Sequence, residues 1–148
     1  MTAPSPFTVK RVDWATANVE LRAVRTAVFI QEQGIPQELE WDDSDAQCIH
    51  MLALSAHGDA IGSGRLLPDG HIGRMAVLKA WRGKGVGTTL LRALIAAATE
   101  QGHAIAELSA QTHAIGFYSR FGFEEMGAEY LEVDIPHRAM RLMLPKPR

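Results

Sequence analysis

The spacing of apolar residues at the start of the chain predicts a strand followed by a helix. Residues Phe7–Val12 alternate apolar and polar side chains, which is the period of a half-buried strand. Thr16 is a residue type that caps helices, and Gly34 with a proline shortly after it is a typical stop signal. Between them, apolar residues recur at helical spacing at Leu21, Val24 and Val28. We therefore expect a long first helix that ends at Gly34.

The middle of the chain predicts a loop and then three consecutive antiparallel strands. Residues 34–45, GIPQELEWDDSD, are acidic and lack a clear period, so we expect a loop with one helical turn. Three apolar runs follow and are separated by turn-forming residues. We assign these strands to residues 48–56, 61–67 and 71–77.

A second long helix and a further strand are predicted next. Beyond Gly85 the apolar residues lie on one helical face, and Gly102 is the expected end of the helix. That face consists of Val86, Leu90, Leu91, Leu94, Ile95 and Ala98. A short apolar run at residues 104–109 then predicts the strand.

The end of the chain predicts a short helix and two strands. Thr112 is the expected N-cap of a helix that reaches Arg120 and stops at Gly122, and the final strands flank residues 135–136. The element order is β, α, β, β, β, α, β, α, β, β, which belongs to the α+β (α/β) class. No repeat or linker divides residues 1–148, so we expect a single domain.

Composition and charge disfavour several classes of partner. The 148 residues are 47% hydrophobic and 22% charged, an ordinary balance for one soluble domain. The formal charge of -2 and the absence of a dense basic run argue against a nucleic-acid partner. Cys48 is the only cysteine and the histidines lack ligand spacing, so we expect neither a disulfide nor a metal site. With neither a signal peptide nor an apolar run of spanning length, we expect a cytoplasmic protein without membrane attachment.

The sequence RGKGVG at residues 82–87 joins a predicted strand to a predicted helix and is the most informative stretch. Its glycines let the backbone approach a ligand, and the first N–H groups of the helix are free to bind an anion. The helix dipole adds roughly half a positive charge at that end. We therefore expect a phosphate-binding site. The alternative is a glycine-rich helix start without a ligand.

Two common phosphate-binding motifs do not fit this segment. A nucleotide P-loop requires Ser or Thr after Gly-Lys, where this chain has Gly85. The dinucleotide fingerprint requires a third glycine where this chain has Thr88 or Leu90, depending on the register. Nucleotide hydrolases and dinucleotide-binding enzymes are therefore disfavoured.

Arg82-x-x-Gly85-x-Gly87 resembles the [Gln/Arg]-x-x-Gly-x-[Gly/Ala] signature with which GNAT acetyltransferases bind the pyrophosphate of coenzyme A. The sequence RMAV at residues 74–77 resembles the fourth strand of that fold. Residues 110–123 resemble its second conserved motif, at a sensible distance from the first. The agreement of both motifs identifies the chain as a member of the GNAT superfamily.

Within the superfamily the resemblance is to the ElaA-like branch. It rests on VFIQEQ at residues 28–33 and on Gly122-Phe123, and it covers nearly the whole chain. One departure is QTH at residues 111–113, where many members carry asparagine. The resemblance implies a GNAT acyl-CoA N-acyltransferase fold, with a mixed central sheet of about seven strands flanked by about four helices.

The resemblance also implies the co-substrate and its contacts. Acetyl-CoA would donate the acetyl group, coenzyme A would be released, and a small-molecule or peptide amine would accept. In the family, strands four and five separate at a bulge, here near residues 73–76, and the freed backbone binds the pantetheine arm. An N–H near Val77 then faces the thioester carbonyl. The implied cofactor-binding residues are Met75, Ala76, Val77, Arg82, Gly83, Lys84, Gly85, Val86, Gly87 and Thr88.

Tyr118 is the expected general acid, because many family members place a tyrosine there that donates a hydrogen bond to the coenzyme sulfur. A thiolate with a reference pKa of about 8.5 needs only a well-placed hydrogen to leave. The alternative is a core tyrosine, since Ala114, Tyr118 and Phe121 share a helical face. The candidates for a general base, besides a water wire, are Glu32, Glu38, Glu40, His113, Glu129, Glu132 and His137.

Two questions remain open at this level. Trp41 with Asp42, Asp43 and Asp45 lines a pocket for a cationic acceptor, or belongs to a solvated acidic loop. The chain is an N-acetyltransferase whose primary-amine acceptor attacks the thioester directly, or a noncatalytic acyl-CoA-binding module. A homodimer through the C-terminal edge strands is compatible with either function.

Overall fold

A computed structural model describes residues 6–145, which contain a central mixed sheet. Its strands are β1 Phe7–Val12, β2 Ile49–Ser55, β3 Ala60–Leu66, β4 His71–Val77, β5 Ile105–Gln111, β6 Glu124–Glu132 and β7 Ile135–Met143. They lie in the order β1-β2-β3-β4-β5-β7-β6, and every neighbouring pair is antiparallel except β4 and β5. The predicted seven-stranded mixed sheet is confirmed.

Helices cover both faces of this sheet. They are α1 Trp14–Arg25, α2 Gln37–Glu40, α3 Val86–Glu100 and α4 Ile115–Ser119. Helix α1 packs Leu21 against Leu52 of β2, whereas α3 packs against Met51 and Ala53, which point to the opposite face. Of the helices within residues 6–145, none is long and apolar enough to cross a membrane.

The first helix differs from its prediction at both ends. Its N-cap is Asp13, whose carboxylate accepts a hydrogen bond from the Thr16 backbone N–H at 2.8 Å, so the prediction of Thr16 as the cap was wrong. The α-helix ends at Arg25 and continues as a π-helical segment, Thr26–Glu32, before Gly34 at a φ of 71°. Such π-helical turns occur frequently at functional sites.

Strands β4 and β5 separate after a short region of pairing. Their register contains only the pairs His71 with Glu107 and Ile72 with Leu108. Beyond those pairs β4 continues to Val77 without a partner strand on that side. A cleft therefore opens between the carboxyl ends of the two parallel strands, the usual place for a ligand in such sheets.

A bulge in β4 accompanies the separation. On β3, Arg65 pairs with Gly73 and Ser63 pairs with Ala76, so β4 carries one residue more than β3 in this interval. Arg74 lies inside the bulge with a φ of 49°, a conformation that non-glycine residues rarely adopt. The structure thus has the bulge and the separation that the family resemblance implied.

Two predictions near the C-terminus were wrong. Val133 and Asp134 have positive φ values of 45° and 62° and form the tight turn, so β7 begins at Ile135 and the last two strands do not flank residues 135–136. Valine is not a usual turn former, so Asp134 alone marked the turn in the sequence. Thr112 caps no helix, because it lies in a 3₁₀ turn that precedes α4. The other elements lie within about two residues of their predicted bounds.

Gly62 on β3 lies directly beneath the first turn of α3. A Cβ there would stand 2.9 Å from Val86 Cγ1 and 3.2 Å from the Ala76 carbonyl oxygen. We expect Gly62→Ala to lower the free energy of unfolding by about 1–3 kcal/mol, because overpacking displaces α3. Gly73→Ala is the matched control, since a Cβ at Gly73 meets nothing within 4 Å. Urea unfolding measures both variants, and equal stability would contradict this account.

Candidate active site

The glycine turn before α3 has a backbone that few other sequences can form. Gly83 and Gly85 have positive φ values of 78° and 86°, which glycine adopts without strain. A Cβ at either position would meet nothing within 4 Å, so the space in front of the turn is open. A Cβ at Gly87 would lie 3.5 Å from the Phe117 ring, which places α4 beside the first turn of α3.

The first turn of α3 leaves backbone N–H groups available to a ligand. Gly85 is the N-cap and offers no side-chain bond, and the first helical bond runs from the Thr89 N–H to the Gly85 carbonyl at 3.0 Å. Among residues 6–145, nothing accepts from the N–H groups of Val86, Gly87 or Thr88. Together with the helix dipole, these donors suit an anion. The Val86 side chain is buried, so this residue would act through its backbone.

Two cations flank the turn in different ways. The Lys84 ammonium lies 5.2 Å from the centre of the Trp81 ring, a cation–π arrangement. Arg82 donates from Nε to the Val77 carbonyl oxygen at 3.0 Å and from its two Nη atoms to the carboxylate of Glu32 at 2.6 Å each. This fork lowers the pKa of Glu32 and raises that of Arg82. Arg82 is therefore already paired with an anion.

The three predicted contacts on β4 lie at the wall of the cleft. Ala76 is buried against Val28 and Phe29 of the π-helical segment. Met75 and Val77 instead pack against the core under α3. All three follow the last backbone pair with β5, so their main chain faces the cleft side without a strand partner. Unpaired backbone groups of this kind require hydrogen-bonding partners.

Tyr118 lies on α4, beside the same helix start. Its ring contacts Phe117 and Phe123 edge-on, with centroid distances of 5.1 and 6.1 Å. Burial raises the pKa of Tyr118 to about 12. Within the described residues its hydroxyl has no hydrogen-bond partner, and the adjacent Phe117 lies beside Gly87 at the first turn of α3. The aromatic packing also gives the ring a structural role, as the alternative prediction proposed.

A polar cluster lies at the mouth of the cleft. Gln111 at the end of β5 and Gln33 after the π-helical segment exchange two hydrogen bonds, at 3.2 and 2.9 Å. His137 is the cross-strand partner of Gln111, and its Nδ1 lies 2.6 Å from the Ile135 carbonyl oxygen. Its Nε2 lies 3.4 Å from the Glu132 carboxylate. If Nδ1 donates to the carbonyl, the Nε2 lone pair is the basic position of this imidazole.

The other candidates for a base are engaged or exposed. Arg82 binds Glu32, and Glu40 is only 3% exposed and accepts a hydrogen bond from Arg25. The exposed candidates, which have no ion pair within residues 6–145, are Glu38, His113 and Glu129. Of the residues at the mouth, Gln33 and Gln111 were not predicted as site residues, although both lie in motifs of the family resemblance, residues 28–33 and 110–123. A single glutamine in a sequence does not indicate a function, because its hydrogen-bond partner is known only from the fold.

The acidic loop is bound by arginines. Arg65 donates to both carboxylate oxygens of Asp42 at 2.9 and 2.8 Å and to Asp45 at 2.8 Å. Arg25 donates to Asp45 at 2.8 Å and to Glu40 at 3.2 Å. Asp45 and Glu40 are each 3% exposed, whereas Asp42 and Asp43 are exposed, so the loop is solvated only in part. Arginines already neutralise Asp42, Asp45 and Glu40, which weighs against a pocket for a cationic acceptor at these carboxylates.

Trp41 belongs to the same cluster. Its ring lies 4.9 Å from the Arg25 guanidinium and 5.4 Å from that of Arg22. It therefore covers the buried Arg25 guanidinium. Across the described part of the chain, no three His, Cys, Asp or Glu side chains converge as metal ligands.

Asp42 makes an acid-sensitive contribution to stability. Arg65 holds the pKa of this carboxyl well below its ordinary value. A group whose pKa is lowered on folding stabilises the protein above its unfolded pKa of about 3.9, and that contribution is lost as pH falls through the folded value. We expect Asp42→Asn to lower Tm near neutral pH, with a deficit that shrinks below about pH 4.

Thermal unfolding between about pH 7 and pH 3 measures this effect. The control is Asp43→Asn, which removes an exposed carboxylate from the same loop. An equal loss of Tm in both variants, or a deficit that does not depend on pH, would contradict the assignment.

Comparison with known proteins identifies the class. The family described as acetyltransferase (GNAT) domain matches residues 17–144. The chain is 36% identical over 121 residues to the uncharacterized N-acetyltransferase YjcF of Bacillus subtilis (strain 168), covering 79% of this chain and 86% of that relative. It is 34% identical over 127 residues to protein ElaA of Escherichia coli (strain K12), covering 81% and 83%. The chain belongs to the GNAT acetyltransferase family.

Solved structures agree with this assignment. An acyl-CoA N-acyltransferase from Pseudomonas aeruginosa superposes with a TM-score of 0.82 at 32% identity, covering 91% of this chain and 98% of that one. The structure of Escherichia coli ElaA superposes with a TM-score of 0.80 at 27% identity, with the same coverage. The ElaA-like resemblance is confirmed. The protein is therefore an acyltransferase that uses acetyl-CoA as co-substrate and releases coenzyme A.

Proposed function

We propose that the protein transfers the acetyl group of acetyl-CoA to a primary amine, which attacks the thioester directly. The observation that carries this proposal is the uncapped start of α3 beside the open end of the cleft between β4 and β5. An anion site next to an unpaired backbone edge suits a co-substrate that has a pyrophosphate and an amide-containing arm.

We assign the pyrophosphate to the backbone N–H groups of residues 83–88, with Lys84 as the nearby cation. The pantetheine arm would then follow Met75, Ala76 and Val77, whose main chain has no strand partner towards β5. The fit is supported by the open space in front of Gly83 and Gly85. These assignments rest on geometry together with the family motif.

In the reaction the amine lone pair forms a bond to the thioester carbon. The carbonyl oxygen then carries negative charge, which a backbone N–H near Val77 would stabilise. The carbon–sulfur bond breaks as the carbonyl re-forms, and coenzyme A leaves as a thiolate that takes up a proton. The chain's task is to orient the thioester and to supply hydrogen-bond donors at the two atoms that gain charge.

Tyr118 is the proposed donor to the departing sulfur. Its pKa of about 12 keeps the phenol protonated across the ordinary pH range. A thiol with a reference pKa of about 8.5 is the stronger acid, so the phenol stabilises the thiolate by a hydrogen bond without giving up its proton fully. The amine must also lose a proton, and Nε2 of His137 at the cleft mouth is the proposed acceptor.

We expect Tyr118→Phe to lower kcat by about tenfold to a hundredfold, because the donor to the sulfur is lost. The phenyl ring preserves the packing against Phe117 and Phe123, so the Kd for acetyl-CoA should stay nearly constant. Steady-state kinetics with calorimetric titration separate the two quantities. An unaltered kcat would remove Tyr118 from the mechanism and leave it as a packing residue.

A ligand titration tests the proposed anion site. We expect micromolar binding of acetyl-CoA and coenzyme A but not of ATP, because ATP lacks the arm that would fill the cleft. A panel of primary amines, assayed by thiol release, should then contain at least one acceptor. Coenzyme A binding that is abolished by Gly85→Val would locate the site, since valine is strained at a φ of 86°. Failure of both CoA species to bind would overturn the proposal.

A further inference from the structure

Two consecutive residues at the end of the π-helical segment contact both sides of the cleft. Glu32 binds Arg82, which opens the glycine turn on the β4 side, and Gln33 binds Gln111, which ends β5. Each contact joins residues far apart in sequence, by 50 and 78 positions. One turn of backbone thus connects the two strands where they no longer pair with each other.

The contact on the β4 side is a two-pronged ion pair. Both Nη atoms of Arg82 donate to Glu32 at 2.6 Å, and its Nε donates to the carbonyl of Val77, the last residue of β4. Planar guanidinium–carboxylate pairs of this kind fix direction as well as distance. Arg82 is therefore oriented by the end of β4 on one side and by the π-helical segment on the other.

The contact on the β5 side is a reciprocal amide pair. Gln33 and Gln111 each donate to the other's carbonyl oxygen, and both side chains are partly buried. The segment that carries Gln33 is itself anchored, because Val28 and Phe29 are buried against Ala76 of β4. The amide pair thus connects β5 to a segment that is packed on β4.

We propose that Glu32 and Gln33 form a clamp that sets the spacing of the two cleft walls, and that Arg82 acts on the co-substrate through this clamp as a positioning residue. The proposal rests on the proposed function, since it assumes that acetyl-CoA occupies the cleft. Acetyl-CoA then binds to walls already held at the correct distance, and less ordering is required when it binds.

Direct binding of the pyrophosphate by Arg82 is the competing hypothesis, and it predicts the opposite change in Kd when Glu32 is replaced. If Arg82 bound the pyrophosphate directly, Glu32 would compete with the ligand for the guanidinium, and removal of the carboxylate would tighten binding. If the clamp positions the walls, removal of the carboxylate weakens binding. The sign of one change in Kd therefore separates the two roles.

The first experiment is a double-mutant cycle on acetyl-CoA binding, measured by calorimetry. We expect Glu32→Gln to raise Kd about fivefold, Arg82→Gln to do the same, and the double variant to be no worse than either, because both remove one interaction. Glu32→Asp keeps the charge and should restore part of the affinity. The control is Glu20→Gln, an exposed carboxylate on α1.

Measuring Kd at increasing salt concentration separates the loss of an ion pair from a general folding defect, which would not depend on salt in this way. The Kd ratio of Glu32→Gln to the native protein should fall towards one at about 1 M salt, where exposed ion pairs are screened. The kcat of this variant should stay close to the native value while KM for acetyl-CoA rises. Tighter binding by Glu32→Gln, additive effects in the cycle, or a ratio unaffected by salt would each overturn the Glu32 part of the clamp.

The second experiment tests the amide pair in the same way. We expect Gln33→Ala and Gln111→Ala each to raise KM for acetyl-CoA about threefold, with no further rise in the double variant. Gln31→Ala, at an exposed neighbour of Gln33, is the matched control. Equal effects of Gln31→Ala and Gln33→Ala, or additivity in the double variant, would overturn the Gln33 part.

The outcome for the native protein distinguishes failure of the clamp from failure of the proposed function. If the native protein binds no coenzyme A, the proposed function fails. If it binds coenzyme A and the clamp variants bind equally well, only the clamp fails.

Discussion

The proposed active site depends on the separation of β4 and β5, whose backbones stop pairing with each other part of the way along the strands. The two strands pair at His71 with Glu107 and at Ile72 with Leu108, and then separate. Buried backbone N–H and C=O groups require hydrogen-bonding partners, so the unpaired edge of β4 can bind a polar ligand. An extended arm with amide groups can form the hydrogen bonds that a neighbouring strand would otherwise form. The proposed binding site for the pantetheine arm is thus the part of β4 that no longer pairs with β5.

Ion pairs between arginines and buried carboxylates hold the bulge in β4 that accompanies this cleft. Arg74 lies in the bulge at a φ of 49°, and its Nε is 3.2 Å from the Glu40 carboxylate, which also binds Arg25. Burial raises the pKa of Glu40 against the pull of both arginines, because its carboxyl group is removed from water. Removing Glu40 would take one acidic partner from both Arg25 and Arg74, a larger cost than the loss of an exposed ion pair because the Arg25 guanidinium is buried. The acidic loop thus fixes the backbone of β4 through its arginine partners.

How far the sequence predicted this arrangement depends on how local each feature is. The strands, α3 and the glycine turn follow from periodicity and from residues adjacent in the chain, such as Gly83 and Gly85. The π-helical segment was not predicted, because its apolar spacing does not differ enough from that of an α-helix. The pairing of Arg25 with Asp45 was not predicted either, because two residues 20 positions apart produce no pattern in the local sequence. An arginine on a buried helical face could have signalled it.

The same distinction explains why the co-substrate can be read from this sequence and the acceptor cannot. The proposed anion site is built by one continuous stretch, so its chemistry can be inferred from consecutive residues. The mouth of the cleft is assembled from Gln33, Gln111 and His137, which come from three distant segments and carry no shared motif. In the sequence, each of these residues looks like an ordinary polar position, and only the fold places them next to one another. A family signature that lies in one continuous segment therefore says little about the amine.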